Sequence, residues 1–403
     1  MFKLILKMAW KNSFLRLSRT ILVLIMIAVS MSMMLAIEGL YDGMAENMIN
    51  KNKRSESGDI SIYAKDYRIN KEIKHFIKDA LPLKREIENI KSVQAVILRV
   101  NAEGLASTAR KSSFASLNGI DVNAEEKFGK FSEFLHEGEI DVSKRGALVG
   151  IELAKTLKLH IGSKIIFSTQ DTHGEINSIA LKVKGIIQTT NIKLDTSAIF
   201  IDIKNMYKLL DITNATASQI SIMSEDTQLL ELLKQKYPQL DVKSFLELQP
   251  MMKMMQDMMF IFNSITFFIV MLVVFVGILG VMYVSILDRV REFGIMRGIG
   301  MAYKHIRIQI ILESVILAFT GYIFGAIFGI LFLLYLGEYG LDLSSFADAL
   351  ESFGYETVLY ASIKFSYFTN TFFAIMAASV LSAWLPLRKI KKLNPIEVIK
   401  AQI

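Results

Sequence analysis

Long apolar runs alternate with polar sequence in this chain, and the longest of them define its predicted architecture. A membrane-spanning helix needs about 20 mainly apolar residues. Four runs reach that length, namely Thr20–Tyr41, Met258–Leu287, Ile308–Leu336 and Tyr367–Leu387. The first is too long for the apolar core of a signal peptide and is not followed by a convincing small-residue cleavage site. The pattern therefore predicts four transmembrane helices, of which the first is an uncleaved anchor.

The region 42–257, between the first two runs, shows shorter patterns typical of a folded domain. Residues 58–64 alternate apolar and polar positions and predict a strand, whereas 72–89 predict a helix. Residues 146–159 predict a strand that leads into an amphipathic helix. The predicted fold class is a membrane protein with four transmembrane α-helices and a large α+β domain inserted between the first and second helix. A β-rich part is expected near 105–190.

The composition agrees with a membrane part and a soluble part in one chain. Of the 403 residues, 52% are hydrophobic and 21% are charged, and there is no cysteine. The lack of cysteine excludes disulfides, thiolate metal sites and cysteine nucleophiles. A domain of roughly 200 residues is long enough to be stabilised by its packed core alone.

The distribution of charge predicts the orientation, because lysine and arginine near the ends of spans mark the cytoplasmic side. Basic residues dominate before the first span, between the second and third, and after the fourth, whereas the loop between the third and fourth is acidic. Both termini are therefore expected in the cytoplasm. The predicted order is a basic segment (1–19), a span (20–41), the outward-facing domain with helical stalks (42–257), a span (258–287), a basic loop (288–307), a span (308–336), a short outer loop (337–366), a span (367–387) and a cytoplasmic tail (388–403).

The basic loop is the most informative part of the sequence. Its core, residues 288–300, has apolar residues at regular spacing among charged ones and lies between two spans. This is where a transporter would receive force from a cytoplasmic motor. Glu313, just inside the next span, is open to two interpretations, a contact with the basic loop or a carboxylate that reaches the interface. Small residues at four-residue spacing on the same span, Gly321, Gly325 and Gly329, predict a helix-packing face.

The sequence offers no catalytic or metal site. The five histidines are scattered, and no phosphate-binding P-loop occurs, so this chain is not expected to be an enzyme or to hold a cofactor. Methionines are dense at 251–259, and we interpret them as an adaptable apolar surface rather than a copper site. Any ATP and Mg²⁺ that drive the protein would be bound by another polypeptide, and no nucleic-acid partner is expected.

Several motifs together resemble a known permease family. The segment 291–300, then Glu313, then the glycine series, and the tail motif at 384–399 resemble the permease domain shared by the MacB, FtsX and LolC/LolE transporters. Residues 150–162 also resemble part of that family's periplasmic core domain. The resemblance covers essentially the whole chain, and its permease motifs agree in order, spacing and topology.

The resemblance implies a mechanism in which work is done on the periplasmic side of a bacterial inner membrane. In that family the segment between spans two and three is a coupling helix that docks on a separate ATPase dimer. A second permease subunit, either the same chain or a paralogue, is implied, because an ATPase dimer presents two grooves. Carried onto this chain, the coupling residues are Arg291, Glu292, Gly294, Arg297, Gly298 and Gly300.

Within the family, the length, the lack of a fused ATPase and the large core domain resemble the lipoprotein-releasing LolC/LolE branch. The implied function is extraction of acylated lipoproteins from the outer leaflet for release to a periplasmic carrier protein. We expect the acyl chains to be sheltered between the outer halves of the first and second spans of neighbouring subunits, lined by Met33, Met34, Ile37, Leu40, Met258, Met259, Phe262 and Phe267. Two alternatives remain open, a MacB-like tripartite efflux permease for peptides or small hydrophobic compounds, and an FtsX-like signalling platform for a cell-wall hydrolase.

Overall fold

The computed structural model describes residues 2–14, 17–189, 191–346 and 357–391. The chain divides into two compact units. The helical unit comprises residues 1–45, 256–343 and 358–403, and the α/β unit comprises residues 46–255 and 344–357.

Helices dominate the chain. In chain order they are α1 (Phe2–Ser13), α2 (Leu17–Asn52), α3 (Tyr67–Asn70), α4 (Ala80–Glu88), α5 (Val122–Gly129), α6 (Ile151–Leu157), α7 (Ile192–Ser197), α8 (Ile203–Leu210), α9 (Leu229–Lys236), α10 (Phe245–Leu248), α11 (Pro250–Asp288), α12 (Val290–Gly298), α13 (Tyr303–Tyr339) and α14 (Phe365–Lys391). A π-helical turn, Lys53–Ser57, follows α2 directly. Short 3-10 turns occur at Ile73–His75, Phe131–Phe134, Ser143–Arg145 and Ser344–Phe346.

The strands belong mostly to the α/β unit. They are β1 (Ile60–Ala64), β2 (Val93–Ser107), β3 (Ser112–Ile120), β4 (Leu135–Gly138), β5 (Gly146–Gly150), β6 (Lys164–Gln170), β7 (Ile176–Ile187), β8 (Ala198–Asp202), β9 (Gln219–Ser224), β10 (Leu240–Ser244), β11 (Leu341–Asp342) and β12 (Val358–Leu359).

Four helices in the described ranges, α2, α11, α13 and α14, are long and apolar enough to cross a membrane. This confirms the predicted fold class, with a large mixed α/β domain between the first and second of them. The first two of these helices extend beyond the predicted apolar runs, since α2 continues to Asn52 and α11 already begins at Pro250. Isoleucine, leucine, valine and methionine side chains from all four helices share one buried core in the helical unit.

One large sheet organises the α/β unit. Its strand order is β10-β1-β9-β2-β3-β8-β5-β7-β4, and β6 pairs with both β2 and β7. Most neighbours are antiparallel, but β3 pairs with β8 and β5 pairs with β7 in parallel. The long strand β2 pairs with β9 through residues 93–99 and with β3 through residues 100–107. We call the part around β1, β9 and β10 the first lobe and the part from β3 to β8 the second lobe, so β2 belongs to both.

The structure corrects one predicted element. The helix expected over 72–89 begins only at Ala80. Before it, Ile77 exchanges backbone hydrogen bonds with Ala217, at 2.8 and 3.0 Å, and therefore adopts an extended conformation. Pairing with a distant residue thus overrides the helical pattern of 72–79. The predicted strand and helix at 146–159 are present as β5 and α6.

Candidate functional site

The short helix α12 lies in the chain between α11 and α13, within the predicted basic loop. Its Phe293 and Gly294 are buried, whereas Arg291 and Glu292 are exposed. The exposed side of α12 therefore carries the charged Arg291 and Glu292 together with the apolar Ile295, which is 48% exposed. The chain leaves α12 through the exposed residue Gly300, whose φ of +94° is readily adopted only by glycine.

The predicted coupling residues therefore have different surroundings. Arg291, Glu292, Gly298 and Gly300 are exposed, Arg297 is half-buried, and Gly294 is buried. Addition of a side chain at Gly298 or Gly300 would meet no atom within 4 Å. These two glycines therefore leave free space on their side of the segment.

A buried ion pair holds the start of α12 to α13. The Arg289 guanidinium donates from Nη1 to both carboxylate oxygens of Glu313, at 3.0 and 2.9 Å, and from Nε to Glu292, at 3.0 Å. Glu313 is 4% exposed and Arg289 9%. Of the two interpretations of Glu313, the contact with the basic loop is the one that the structure shows. Sequence reasoning missed Arg289 as the partner, although it directly follows α11.

Other polar groups converge on the same carboxylate. Asn12 of α1 donates from Nδ2 to Glu313 Oε1 at 3.0 Å, and Gln309 donates from Nε2 to the same oxygen at 3.1 Å. The Ser13 hydroxyl donates to the Glu313 backbone carbonyl at 3.4 Å. Glu313 therefore connects α1, α12 and α13, and we call this group of side chains the Glu313 cluster.

The electrostatics of the Glu313 cluster favour a permanent charge on the arginine. Burial alone would lower the pKa of Arg289, but the facing Glu313 carboxylate raises it, and the net shift is upward. The guanidinium also lies over the Phe293 ring, 5.1 Å from its centroid. A buried charge pair of this kind depends on good geometry, and removal of one partner leaves a costly unpaired charge.

Further contacts link the ends of the helices near α12. Arg19 of α2 pairs with Asp288 at the end of α11. The Tyr303 hydroxyl of α13 donates to the Leu387 carbonyl of α14 at 2.9 Å. All four long helices are thus connected, directly or through α13, to the segment that carries α12.

The three glycines of α13 lie against α2. A Cβ atom on Gly321 would approach Ile27 Cβ to 2.9 Å, one on Gly325 would approach Met31 Cβ to 2.9 Å, and one on Gly329 would approach Leu35 Cδ1 to 2.4 Å. The partner of this small-residue face is therefore the first long helix.

A second close approach was not foreseen from the sequence. The extended residues 360–362, before α14, cross α2 at Gly39 and Gly43, and a Cβ atom on Gly43 would lie 1.9 Å from the Tyr360 carbonyl oxygen. The Ser362 amide donates to the Gly39 carbonyl at 2.8 Å. Asp42 accepts from Lys364 Nζ and from the Tyr367 hydroxyl, both at 2.6 Å. The Gly-x-x-x-Gly spacing at 39–43 is the signal in the sequence that could have indicated this close crossing.

The proposed acyl-chain residues do not all face outward. Met33, Met258 and Phe262 are exposed, at 61%, 53% and 56%, whereas Met34 is fully buried and so does not contribute to this surface. The remaining four are half-buried, namely Ile37, Leu40, Met259 and Phe267. Only 17% of the most apolar stretch of α11 is buried, against 44% for α2. The second long helix therefore carries the larger exposed apolar surface.

Among the described residues no group of three or more histidine, aspartate or glutamate side chains is placed to hold a metal ion. The contacts around α12 are ion pairs and hydrogen bonds between helices. Charged side chains on its exposed face can bind a partner, while the Glu313 cluster ties its first turn to α1 and α13.

Two family models match the chain. The FtsX-like permease C-terminal model matches residues 264–395, and the MacB-like periplasmic core domain model matches residues 20–240. Because the second match covers more than half of the chain, the protein belongs to the MacB-like periplasmic core domain family and carries an FtsX-like permease region. It is therefore a multi-pass membrane protein with a periplasmic domain and a permease of the MacB/FtsX type of ABC transporter.

Curated relatives of this chain support its assignment to the MacB/FtsX type of ABC transporter. The chain is 23% identical over 256 residues to the macrolide export ATP-binding/permease protein MacB of Haemophilus ducreyi, covering 60% of this chain and 34% of that protein. The MacB of Pasteurella multocida is 24% identical, with 59% and 36% covered. An uncharacterized ABC transporter permease of Methanocaldococcus jannaschii is 25% identical, with 57% of each chain covered. The chain thus spans about a third of the length of these MacB proteins.

Solved structures give weaker matches. The periplasmic region of MacB from Actinobacillus actinomycetemcomitans is 14% identical, with a TM-score of 0.34, and covers 48% of this chain and 92% of that one. The extracellular domain of the ABC-type transporter YknZ is 14% identical, with a TM-score of 0.32, and covers 46% and 99%. These scores are too low to support conclusions about detailed structure.

Proposed function

We propose that this chain is the permease subunit of an ATP-driven transporter in which a cytoplasmic ATPase dimer docks on α12. The observation that carries the proposal is the exposed charged face of α12, held to α13 by the buried pair Arg289–Glu313. A docking segment must transmit force, and a buried, hydrogen-bonded charge pair resists displacement better than an exposed one. The basic loop would then lie in the cytoplasm, with both termini, and the α/β unit would face the periplasm of a bacterial inner membrane.

Charge reversal on α12 tests the docking. Arg291→Glu places a negative charge on the exposed face and should abolish both ATPase binding and ATP-dependent activity, because complementary charges steer and hold such contacts. Binding is measured by co-purification, and activity by ATP hydrolysis in nanodiscs. Lys304→Glu, the same charge change on an exposed residue outside α12, is the matched control. Equal binding by the Arg291→Glu protein and the unmodified protein would refute docking on this face.

For the cargo, we propose acylated lipoproteins, which are taken from the outer leaflet and passed to a periplasmic carrier. The support is the exposed apolar surface of α11 together with Met33. Each CH₂ group withdrawn from lipid costs about 0.8 kcal/mol, so extraction of several acyl chains needs both ATP and a temporary apolar shelter. A second subunit, a copy of this chain or a paralogue, would complete the shelter.

Mass spectrometry of the complex, purified in mild detergent before and after addition of ATP, tests this cargo. Triacylated lipoproteins should co-purify and leave on addition of ATP. Phe262→Ala and Met33→Ala should reduce their amount, whereas Phe328→Ala, at a similarly exposed residue of α13, should not. Equal losses in all three variants would mean general lipid binding instead.

A second cargo class is favoured by the relatives, which are named macrolide export proteins. We propose export of small hydrophobic compounds as the alternative. Co-purification of a periplasmic adaptor and an outer-membrane channel, without lipoprotein, would support it. A cell-wall hydrolase in their place would support the signalling platform.

A further inference from the structure

Glu56, in the π-helical turn that follows α2, makes hydrogen bonds to both lobes of the α/β unit. Its backbone carbonyl accepts from Arg99 Nη1, from Gln219 Nε2 at 3.3 Å and from the Ser221 hydroxyl at 3.3 Å. These three donors lie on β2 and β9 of the first lobe. The main chain at the end of the first long helix is therefore bound to the sheet.

The Glu56 side chain binds in two other directions. One carboxylate oxygen, Oε2, accepts from Asn191 Nδ2 at 2.7 Å and from Gln249 Nε2 at 2.8 Å. Asn191 precedes α7 in the second lobe, and Gln249 is the residue directly before α11. A single carboxylate thus connects the end of the first long helix, the start of the second long helix and the second lobe.

Other hydrogen bonds hold in place the two residues, Asn191 and Gln249, that donate to the Glu56 carboxylate. Asn191 is 7% exposed, and its Oδ1 accepts from the Lys193 amide at 3.1 Å as the N-cap of α7. This fixes the Asn191 side chain, so that Nδ2 faces Glu56. The backbone N–H of Gln249 donates to the Phe245 carbonyl at 2.9 Å, which fixes the main chain of Gln249 at the end of α10. Hydrogen bonds to a charged acceptor are about twice as strong as neutral ones.

The surroundings allow this junction to open. A cavity of about 320 Å³ borders Glu56, and its walls include Asn118, Lys193, Phe200, Gln219 and Gln249. The space beside these polar side chains is large enough to hold water. Water can therefore replace the amide donors when the carboxylate moves, without leaving an unpaired charge. By contrast, Arg99, which donates to the backbone carbonyl of Glu56, is 3% exposed and is held by Glu125 at 2.6 Å.

We infer that Glu56 is a positioning residue that couples the two long helices to the second lobe, so that movement of the helices changes the position of that lobe. The inference rests on the proposed function, because it assumes that ATP moves the helices. Removal of the carboxylate should leave ATP hydrolysis intact. ATP should then no longer change the position of the second lobe.

The absence of cysteine makes a direct test possible. Cysteines placed at Asn50 on α2, Lys193 on α7 and Lys253 on α11, all exposed, would carry spin labels in pairs. Distances are measured by pulsed electron paramagnetic resonance on the full chain with its ATPase in nanodiscs, with and without ATP. In the otherwise unmodified protein, the distances from 193 to 50 and to 253 should be narrowly distributed, and ATP should shift them.

Glu56→Ala should broaden both distances to position 193 and abolish their ATP-dependent shift, with ATP hydrolysis retained. Glu56→Gln, which keeps an acceptor but no charge, should give an intermediate result. The matched control is Glu133→Ala, which removes the exposed partner of Arg54 on the same π-helical turn and should behave as the unmodified protein. An unchanged shift in Glu56→Ala would overturn the inference. No ATP-dependent shift in the unmodified protein would instead count against the proposed function.

Discussion

Each unit of this protein contains a buried arginine–glutamate pair, and the two pairs are built differently. In the α/β unit, Arg99 of β2 donates from Nε and Nη2 to the two oxygens of Glu125 on α5, both at 2.6 Å. In the helical unit, Arg289 uses one nitrogen for both oxygens of Glu313 and keeps Nε for the exposed Glu292. Each guanidinium also lies over a phenylalanine ring.

The difference concerns the elements that the pairs join. Arg99–Glu125 joins a strand and a helix of one closed core, with both side chains 3% exposed or less. Arg289–Glu313 lies where three helices meet, and one of its hydrogen bonds extends to an exposed residue. The first pair therefore lies within one packed core, whereas the second connects the start of α12 to α13.

The largest effect is expected for Arg99→Met. It leaves the Glu125 carboxylate buried and unpaired, which costs about 3–5 kcal/mol in the free energy of unfolding. Thermal unfolding followed by circular dichroism, with protease resistance of the α/β unit, measures the loss. Arg68→Met, which breaks an exposed pair with Asp241, is the control and should cost less than about 1 kcal/mol. Similar losses in the two variants would remove the distinction between the buried and exposed pairs.

A smaller loss of stability but a large loss of function is expected for Glu313→Gln. The amide keeps the shape and some hydrogen bonds, but Arg289 loses its charged partner, at a cost of about 1.5–3 kcal/mol. The purified variant should still bind the ATPase through the exposed face of α12. ATP-dependent release of cargo should fail, because the force is no longer passed to α13. Full release by a stably folded Glu313→Gln protein would show that the pair is purely structural.

Asp195 extends the comparison to a buried carboxylate with no arginine. Burial raises the pKa of Asp195 to about 6, although the Thr189 amide and hydroxyl donate to its Oδ1 at 2.9 Å each. Because the folded state binds the proton more tightly, this group stabilises the fold below the unfolded pKa of about 3.9. That stability is lost as the pH rises towards 6, by roughly 2–3 kcal/mol.

The measurement is thermal unfolding of the unmodified protein and of Asp195→Asn between pH 4 and 8. The difference between the two should change across the range from pH 4 to 6, with the variant relatively more stable at high pH, and then level off. A difference that does not vary with pH would contradict the raised pKa.

The smallest effect is expected for Glu292→Ala. Its side chain is 58% exposed, so the hydrogen bond with Arg289 is worth at most about 1 kcal/mol. Thermal stability should hardly change, while affinity for the ATPase should fall if Glu292 contacts it. A stability loss as large as that of Glu313→Gln would mean that the Glu313 cluster extends to the surface.

Local patterns predicted the elements of this fold well. The strand and helix predicted over 146–159 are present as β5 and α6, and the apolar runs of the four long helices are set by membrane thickness. The strand order was not predictable, because Ser112–Ile120 pairs with both β2 and β8, and these partners are distant from each other in sequence. The extended conformation of Ile77, within the predicted helix, likewise depends on Ala217.

The site was predictable in part. Glu313 was noticed because a carboxylate within an apolar run is costly and requires a reason. Its partners Asn12 and Arg289 were not, since an asparagine near the start of the chain gives no signal about a helix 300 residues away. Glu56 was also missed, because the five hydrogen bonds that it accepts come from residues distant in sequence, which no local pattern records.

The crossing of residues 360–362 over α2 has a consequence for how the sequence can diverge. Its main-chain bond, from the Ser362 amide to the Gly39 carbonyl, does not depend on the side chain at 362, and Tyr360 contributes its carbonyl oxygen to the close approach. Substitutions at 360–362 can therefore leave these main-chain contacts of the crossing in place. At Gly39 and Gly43, by contrast, even alanine would collide with main-chain atoms. In a set of orthologues, we expect these two small residues to persist while the segment that they accommodate varies.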